Sequence, residues 1–323
     1  MSGMRVTKTN KNAVRDTKNM NGRRKSRSRL LNGLSLHLMV WPALVLVLIF
    51  SYGSMFGLVM AFQDFIPIKG FLGSEWVGLE NFREMIKLPG LPDAIRNTFF
   101  ISAMEIICGQ VMAILTTMLL FQMKARKLRS AIQTVIYLPH FISWVILGGI
   151  LIQLLSVDTG AVNQFLNQLG LEQISFLGNA KVFPWTLILS QTWKEFGFAT
   201  VVYFAALSGI DPTLYEAAEM DGAGQIRQMI HVSLPGIAPI IVLVLVLNIG
   251  SLLSAGFDQV YTLYSPAVYS TGDILDTFIY RLGLVQGRYS LATAVGICKT
   301  IVSMVFMSAA YYIAYKFADY RIF

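Results

Sequence analysis

Tyr215-Glu216-Ala217-Ala218-Glu219-Met220-Asp221-Gly222-Ala223, followed by Val232-Ser233-Leu234-Pro235, is a run of charged and small residues between two long apolar stretches. A plain connector needs only a handful of residues. The local grammar of this one is helical. Asp211 can cap an N-terminus with Pro212 at the first helical position, where the missing N–H of proline would have no partner in any case. Gly222 then ends the helix, because glycine takes a left-handed conformation most readily. A second short helix fits Gln225 to Val232, with Ile226, Met229 and Ile230 on one side, and Leu234-Pro235 is expected to break it. The result is a helix, turn, helix element lying at a membrane surface.

The composition points to the membrane. Of 323 residues, 55% are hydrophobic and 14% charged, too apolar for an ordinary soluble domain. The formal charge of +8 does not signal nucleic acid, because ten of the basic residues lie in the first 29, opposed only by Asp16. Residues 1–32 therefore read as a basic, disordered cytoplasmic tail that attracts anionic lipid headgroups. Residues 33–323 form the transmembrane domain, with its connecting loop at about 208–235. Cys108 and Cys298 both fall inside apolar spans, giving neither a disulfide framework nor a metal-ligand spacing.

Six spans are predicted, each near the roughly 20 residues that cross a bilayer. They cover about Leu36 to Phe62, Asn97 to Phe121, Ile132 to Leu155, Phe183 to Leu207, Gly236 to Phe257 and Tyr289 to Lys316. The first is too long for a signal-peptide core and no small-residue cleavage pattern clearly follows it, so it is expected to stay as an anchor. With both termini inside, seventeen Lys and Arg fall on the cytoplasmic side and seven on the other. The Glu216 segment then faces the cytoplasm. The outer loops, roughly 64–96, 156–182 and 258–288, are long and hold Pro, Gly and aromatic residues, offering a docking surface.

The quoted stretch resembles the Glu-Ala-Ala loop of membrane subunits of binding-protein-dependent ATP-binding-cassette importers. That pattern reads Glu-Ala-Ala, three residues, Gly, nine residues, Ile-x-Leu-Pro. Glu216, Ala217, Ala218, Gly222, Leu234 and Pro235 fall on it, with Val232 in place of the usual isoleucine. The resemblance covers most of residues 33–323 and implies an all-α membrane protein of the type I importer permease fold, six transmembrane helices with a cytoplasmic coupling helix. It assigns contact with the ATPase to Glu216, Ala217, Ala218, Asp221, Gly222, Leu234 and Pro235. It further implies a bacterial inner membrane, two cytoplasmic ATPase subunits that hold ATP and Mg, a homologous second permease subunit forming a heterodimer, and an extracytoplasmic solute-binding protein. No cofactor is expected on this chain itself. Trp193-Lys194-Glu195 and Ala205-Ala206-Leu207-Ser208-Gly209-Ile210-Asp211-Pro212 look like the branch handling oligosaccharides and polysaccharide fragments, which includes importers of uronate polymers such as alginate and pectin fragments. Trp76-Val77-Gly78-Leu79-Glu80-Asn81-Phe82 is similar to an outer segment of the carbohydrate-importing members.

Polar groups inside the spans are the candidates for the substrate pathway, since an ionisable side chain near a helix centre costs about 2.5 to 3.5 kcal/mol on insertion scales. Gln191, Lys194 and Glu195 share one arc of span four, with Phe198 and Val202 continuing that side and Trp193 just off it. Neighbours in sequence do not face each other on a helix, so Lys194 and Glu195 are not expected to neutralise one another; the alternative to a pathway role is an ion pair with another helix, for instance with Lys299 or Glu105. The stripes Ser102, Glu105, Gly109, Met112, Thr116 in span two, Asn248, Ser251, Ala255, Asp258 in span five, and Gly296, Lys299, Ser303 in span six fit helix packing at least as well as substrate contact. Pro139 should kink or break span three, which would let His140 line the pathway. His37 and His231 have no companions at metal-ligand spacing, and no metal site is expected.

There is no Gly-x4-Gly-Lys-[Ser/Thr] phosphate loop, no Gly-x-Ser-x-Gly and no His-Glu-x-x-His. Energy must come from a partner, and the chain is not expected to be an enzyme. The other reading is a secondary transporter or channel for a polar solute, which explains the intramembrane charges but not the spacing of the cytoplasmic loop.

Overall fold

The computed structural model describes residues 38, 40–250, 252–254 and 256–318. The basic tail, the expected boundary after residue 32, Ser251, Ala255 and Arg321 lie outside the described residues. The chain divides into two compact units, Met1–Val59 and Met60–Phe323. The apolar helix α1 (Val40–Phe62) begins in the first and ends in the second; it widens to a π turn over Leu48–Tyr52 and tightens to a 3-10 end at Phe56–Phe62.

The second unit opens with a short antiparallel pair, β1 (Gln63–Asp64) and β2 (Glu75–Trp76), an exception to the all-α expectation. The buried Asn81 at the start of α2 (Glu80–Met85) holds the corner, donating from its amide to the carbonyls of Ala61 and Gln63, each at 3.0 Å. Trp76 stacks on Phe62 at 5.8 Å. The carbohydrate-like segment is thus a folded cap. Arg288 joins α2 through Glu84 at 2.9 Å.

The second span is α3 (Leu91–Gln122), entered through Gly90 at φ +87° and beginning six residues earlier than expected, with Pro and Asp93 in its first turn. The third is broken. α4 (Arg126–Tyr137) passes through a 3-10 turn, Leu138–Phe141, into α5 (Trp144–Leu154), and the two arms meet at 101°. Pro139 lies in the 3-10 turn, the break itself falls at the extended Ile142 and Ser143, and Ser143 caps the second arm, accepting from the Ile146 amide. After α6 (Ala161–Gln168) comes span four, α7 (Phe183–Ser208). A short helix, α8 (Pro212–Met220), then leaves at 74° to it.

Two expectations for span five are corrected. Leu234-Pro235 does not break the chain: α9 runs from Gln225 to Gly250 as one helix. The missing amide of Pro235 is absorbed by a π turn over Met229–Ser233, in which Leu234 N–H donates to the carbonyl five residues back, Met229. The span also ends at Gly250 instead of Phe257, and Gly256, at φ +37°, starts a separate helix, α10 (Phe257–Leu263). α11 (Leu275–Tyr280) and the last span, α12 (Tyr289–Ala318), complete the chain. Counting each bent pair once, six helical segments of the described residues are long and apolar enough to cross a membrane.

α3 and α7 make the most extensive contact, and α9 packs on α12. Ile101, Leu147, Phe183, Leu187 and Val260 form one core; Ala113, Met118, Tyr203, Leu207 and Ile237 form another nearer α8. Gly197 lets α7 touch the broken span, since a Cβ there would overlap the carbonyl of Ile136. Backbone cannot yield as a flexible side chain does. Gly197→Ala should therefore cost about 1 to 3 kcal/mol through overpacking, read as a lowered thermal midpoint of the purified membrane protein; an unchanged midpoint contradicts the close approach.

Candidate functional site

Two regions carry the polar chemistry, one at the end of α7 and one between the helices. At the first, Asp211 caps α8 as its sequence suggests, accepting from the Thr213 amide at 2.9 Å. That amide holds the exposed carboxyl below the usual aspartate range. Gly222 turns the chain at φ +73°. Glu216, Ala217, Asp221 and Gly222 are exposed, Ala218 is half-buried, and Leu234 and Pro235 are exposed at the start of the long part of α9. Met220 is 88% exposed and Ile226 71%, so the element presents apolar side chains to its surroundings.

α8 is tied to three spans. Tyr215 and Ser233 share a hydrogen bond of 2.9 Å that links it to α9, and the Tyr215 ring meets Phe121 of α3 at 6.0 Å. Gln122 donates to the Gln225 carbonyl at 3.1 Å, while Ile210 packs where α9 has Gly236. α8 thus touches α3 and α9 and is continuous with the end of α7.

The second region is a cavity of about 340 Å³ bounded by α3, α7, α9 and the turn before α10. Gln191 and Glu195 line it, as does Asn248. So do Ser102, Glu105 and Gly109, whose helical stripe was visible in the sequence but fitted helix packing better than substrate contact. Gln110, Thr192 and Tyr203 also contribute, and nothing in their spacing announced them. Phe196 and Phe198 add ring surface.

Other candidates are placed differently. Trp193 lines a separate apolar groove with Leu147, Ile150 and Leu189, because it projects from another side of α7 than Gln191 and Glu195. Asp258 sits in the first turn of α10, off span five and away from the cavity wall. Lys299 pairs with Asp276 of α11, not with a residue of span four.

The expectation for Lys194 and Glu195 is also corrected. The Lys194 ammonium lies 2.9 Å from Glu195 Oε1 and donates to the His140 carbonyl at 3.0 Å. Their Cβ atoms diverge, but the four-carbon lysine stem is long enough to curl back, and the carbonyl freed at the broken span draws it there. Glu195 Oε2 meets His140 Nδ1 at 2.7 Å, and the imidazole stacks on Phe198 with ring centres 4.0 Å apart. His140 thus stands behind the cavity wall, connected to it through Glu195. Among the described residues no three His, Cys, Asp or Glu side chains converge as metal ligands.

Six spans with a motif-bearing helix thrown off the end of one, beside a polar cavity, define a membrane permease. The chain belongs to the family of binding-protein-dependent transport system inner membrane components, which matches residues 105–319. It is a permease subunit of an ATP-binding-cassette transporter. Among its relatives, the polygalacturonan/rhamnogalacturonan transport system permease protein YteP of Bacillus subtilis (strain 168) is 40% identical over 295 residues, covering 91% of this chain and 92% of YteP. Protein LplB of the same organism is 40% identical over 288 residues, 89% of this chain and 91% of LplB. A chain in the crystal structure of a bacterial ABC transporter involved in the import of the acidic polysaccharide alginate is similar at TM-score 0.82 and 36% identity, over 91% of this chain and 99% of that one. A chain in the structure of the alginate transporter in complex with an alginate pentasaccharide-bound periplasmic protein matches at TM-score 0.81 and 36% identity, over 90% and 96%.

Lys194 is only 6% exposed and its charge is satisfied within the fold, so its removal should act on stability. Lys194→Met and Glu195→Gln should each lower the thermal midpoint, while the double variant loses less than their sum by about 1 kcal/mol. Strict additivity would show that the pair is not coupled.

Proposed function

We propose that this chain is one half of the transmembrane path of an importer for oligosaccharides or polysaccharide fragments, acidic ones such as alginate included, and that ATPase subunits drive it through α8. The observation that carries the reading is the exposed Glu216–Gly222 element at the end of α7, with the family spacing and with ties to three spans. In this reading α8 seats in a groove of a cytoplasmic ATPase, and the exposed Met220 and Leu214 supply the apolar contact. Two such ATPases bind ATP and Mg; this chain binds neither and is not catalytic. Their closure moves α8, and the tied spans switch between inward-facing and outward-facing arrangements.

A homologous second permease subunit completes the path as a heterodimer, and an extracytoplasmic binding protein delivers substrate to the outer loops. The excess of Lys and Arg on the tail, at Lys124 to Arg129 around the start of α4 and at Arg227 in the first turn of α9 supports a cytoplasmic location for both termini in a bacterial inner membrane. The polar cavity, with Gln191, Glu195 and Asn248 on its wall, is the segment of the path we assign to the sugar. Hydroxyl-rich substrates need hydrogen-bond partners, and their C–H faces pack on rings such as Phe198.

Gly222→Asp tests the coupling. Among the described residues nothing lies within 4 Å of a Cβ built at that position, so the new side chain meets no neighbour in the permease, and the strain of a non-glycine residue at φ +73° falls on the turn that ends α8. Membrane insertion should persist, while ATPase co-purification or ATP-driven uptake falls about tenfold, an interface loss near 1.4 kcal/mol. Normal association together with normal uptake would remove α8 from the coupling role. Tyr215→Phe should keep the ATPase bound but lower uptake per ATP hydrolysed, because the hydroxyl link to Ser233 is gone; an unchanged ratio would show that this bond transmits nothing.

A further inference from the structure

The two most exposed large apolar side chains among the described residues are not on a span. Ile68 is 98% exposed and Leu72 completely so, and both belong to the turn between β1 and β2. Ile66 and Phe71 of the same turn are exposed as well. Residues 65–74 read Phe-Ile-Pro-Ile-Lys-Gly-Phe-Leu-Gly-Ser, apolar side chains and one cation without a carboxylate, whereas Asp64 and Glu75 are register partners in the strand pair at the root.

The turn is held by its own bonds. The Gln63 amide donates to the Phe71 carbonyl at 2.9 Å, the Ile66 N–H donates to Ser74 Oγ at 3.1 Å, and Ser74 Oγ donates to the Gly70 carbonyl at 2.6 Å. The Lys69 N–H closes the turn on the Ile66 carbonyl at 2.9 Å, and the rings of Phe65 and Phe71 meet at 5.1 Å. Ile68 and Leu72 are thus pointed outward by a fixed turn and not by a loose loop. The root of the turn sets its depth. β1 follows directly on Phe62, the last residue of α1, and Trp76 of β2 stacks on that ring. The Phe65 N–H donates to Ser290 Oγ in the first turn of α12 at 2.9 Å, and the Phe65 ring meets Tyr289 edge-on at 6.1 Å. Two spans therefore end at the root, and Trp76 and Tyr289 are of the residue types that gather at headgroup depth. The headgroup zone is about 5 to 7 Å deep on each side of the hydrocarbon, within reach of so short a turn.

We propose that the turn 66–72 is seated in the lipid leaflet bordering the N-terminal end of α12, the outer leaflet in the orientation proposed above. Ile68 and Leu72 enter the boundary between headgroups and acyl chains, Lys69 extends to the phosphates, and Asp64 and Glu75 stay on the water side. The turn thereby continues the apolar surface that the spans present to lipid. Lipid covers these side chains at all times, whereas a soluble partner that docks and leaves would return them to water after each encounter. Only the span α12 is needed for this contact, whatever the substrate.

Quenching of a label on the turn reads its surroundings. Ile68→Cys and Leu72→Cys, each alone in the full chain with Cys108→Ala and Cys298→Ala, are labelled with the fluorophore nitrobenzoxadiazole. The chain is then assembled with its partner subunits in phosphatidylcholine nanodiscs. Replacing part of the lipid by its 5-doxyl form, whose nitroxide lies just below the headgroups, should lower emission about threefold at both positions, while aqueous iodide lowers it by only about a tenth. Iodide quenching equal to or stronger than lipid quenching would place the turn in water. Quenching by neither would place it against the second permease subunit or another protein. Either result overturns the proposal.

Discussion

The ammonium of Lys194, donating to the carbonyl of His140, is the interaction on which the middle of this permease depends. A bilayer supplies no water to satisfy backbone groups, so a helix can break inside it only where the protein provides replacement partners. Span three bends by 101° where Ile142 and Ser143 run extended, just past the 3-10 turn that holds Pro139, and the lysine of the neighbouring span answers the His140 carbonyl there. A cation in that position needs an anion, which Glu195 supplies, and Glu195 in turn orients His140 and reaches the cavity. One chain of contacts thus fixes the bend, neutralises the buried charge and sets a carboxyl on the cavity wall.

The same economy governs the other close approaches. Gly197 lets the backbone of α7 meet that of α4, and Gly148 lets α5 meet Thr262 of α10. In lipid, where apolar surface gains little by leaving its surroundings, such tight contacts and the ion pairs between elements hold helices together. On the face opposite α8, Arg281 packs on Tyr269 and pairs with the buried Asp273. Burial opposes its charge, but the carboxylate outweighs that and raises its pKa above the ordinary guanidinium value.

The helix α8 was legible in the sequence nearly residue by residue, because its signals are local: a capping Asp211, a helix-starting Pro212 and a glycine with positive φ at 222. Six spans were legible for the same reason, since bilayer thickness fixes their length. The cavity was only half legible. Gln191, Glu195 and Asn248 stood out as polar in apolar surroundings, but Thr192, Gln110 and Tyr203 are ordinary on a helix, and only the packing of α3 on α7 turns them to a common space. Lys194 and Glu195 were misread because a rule about Cβ directions does not constrain a side chain with four rotatable bonds. Leu234-Pro235 was misread because a proline signals a broken helix, and a π turn offers the backbone a way around it.

That π turn gives α9 a mechanical property. The helix continues from Gln225 through Pro235 and Pro239 to Gly250, 26 residues and about 39 Å long. One end carries the residues next to the Gly222 turn and the other carries Val244 and Asn248 on the cavity wall. A tilt of about 5° about the Gly250 end would move the Gln225 end by about 3 Å, as follows from that length. A break at Leu234-Pro235 would have confined such a movement to the first two turns; the unbroken helix joins the two ends as one lever arm.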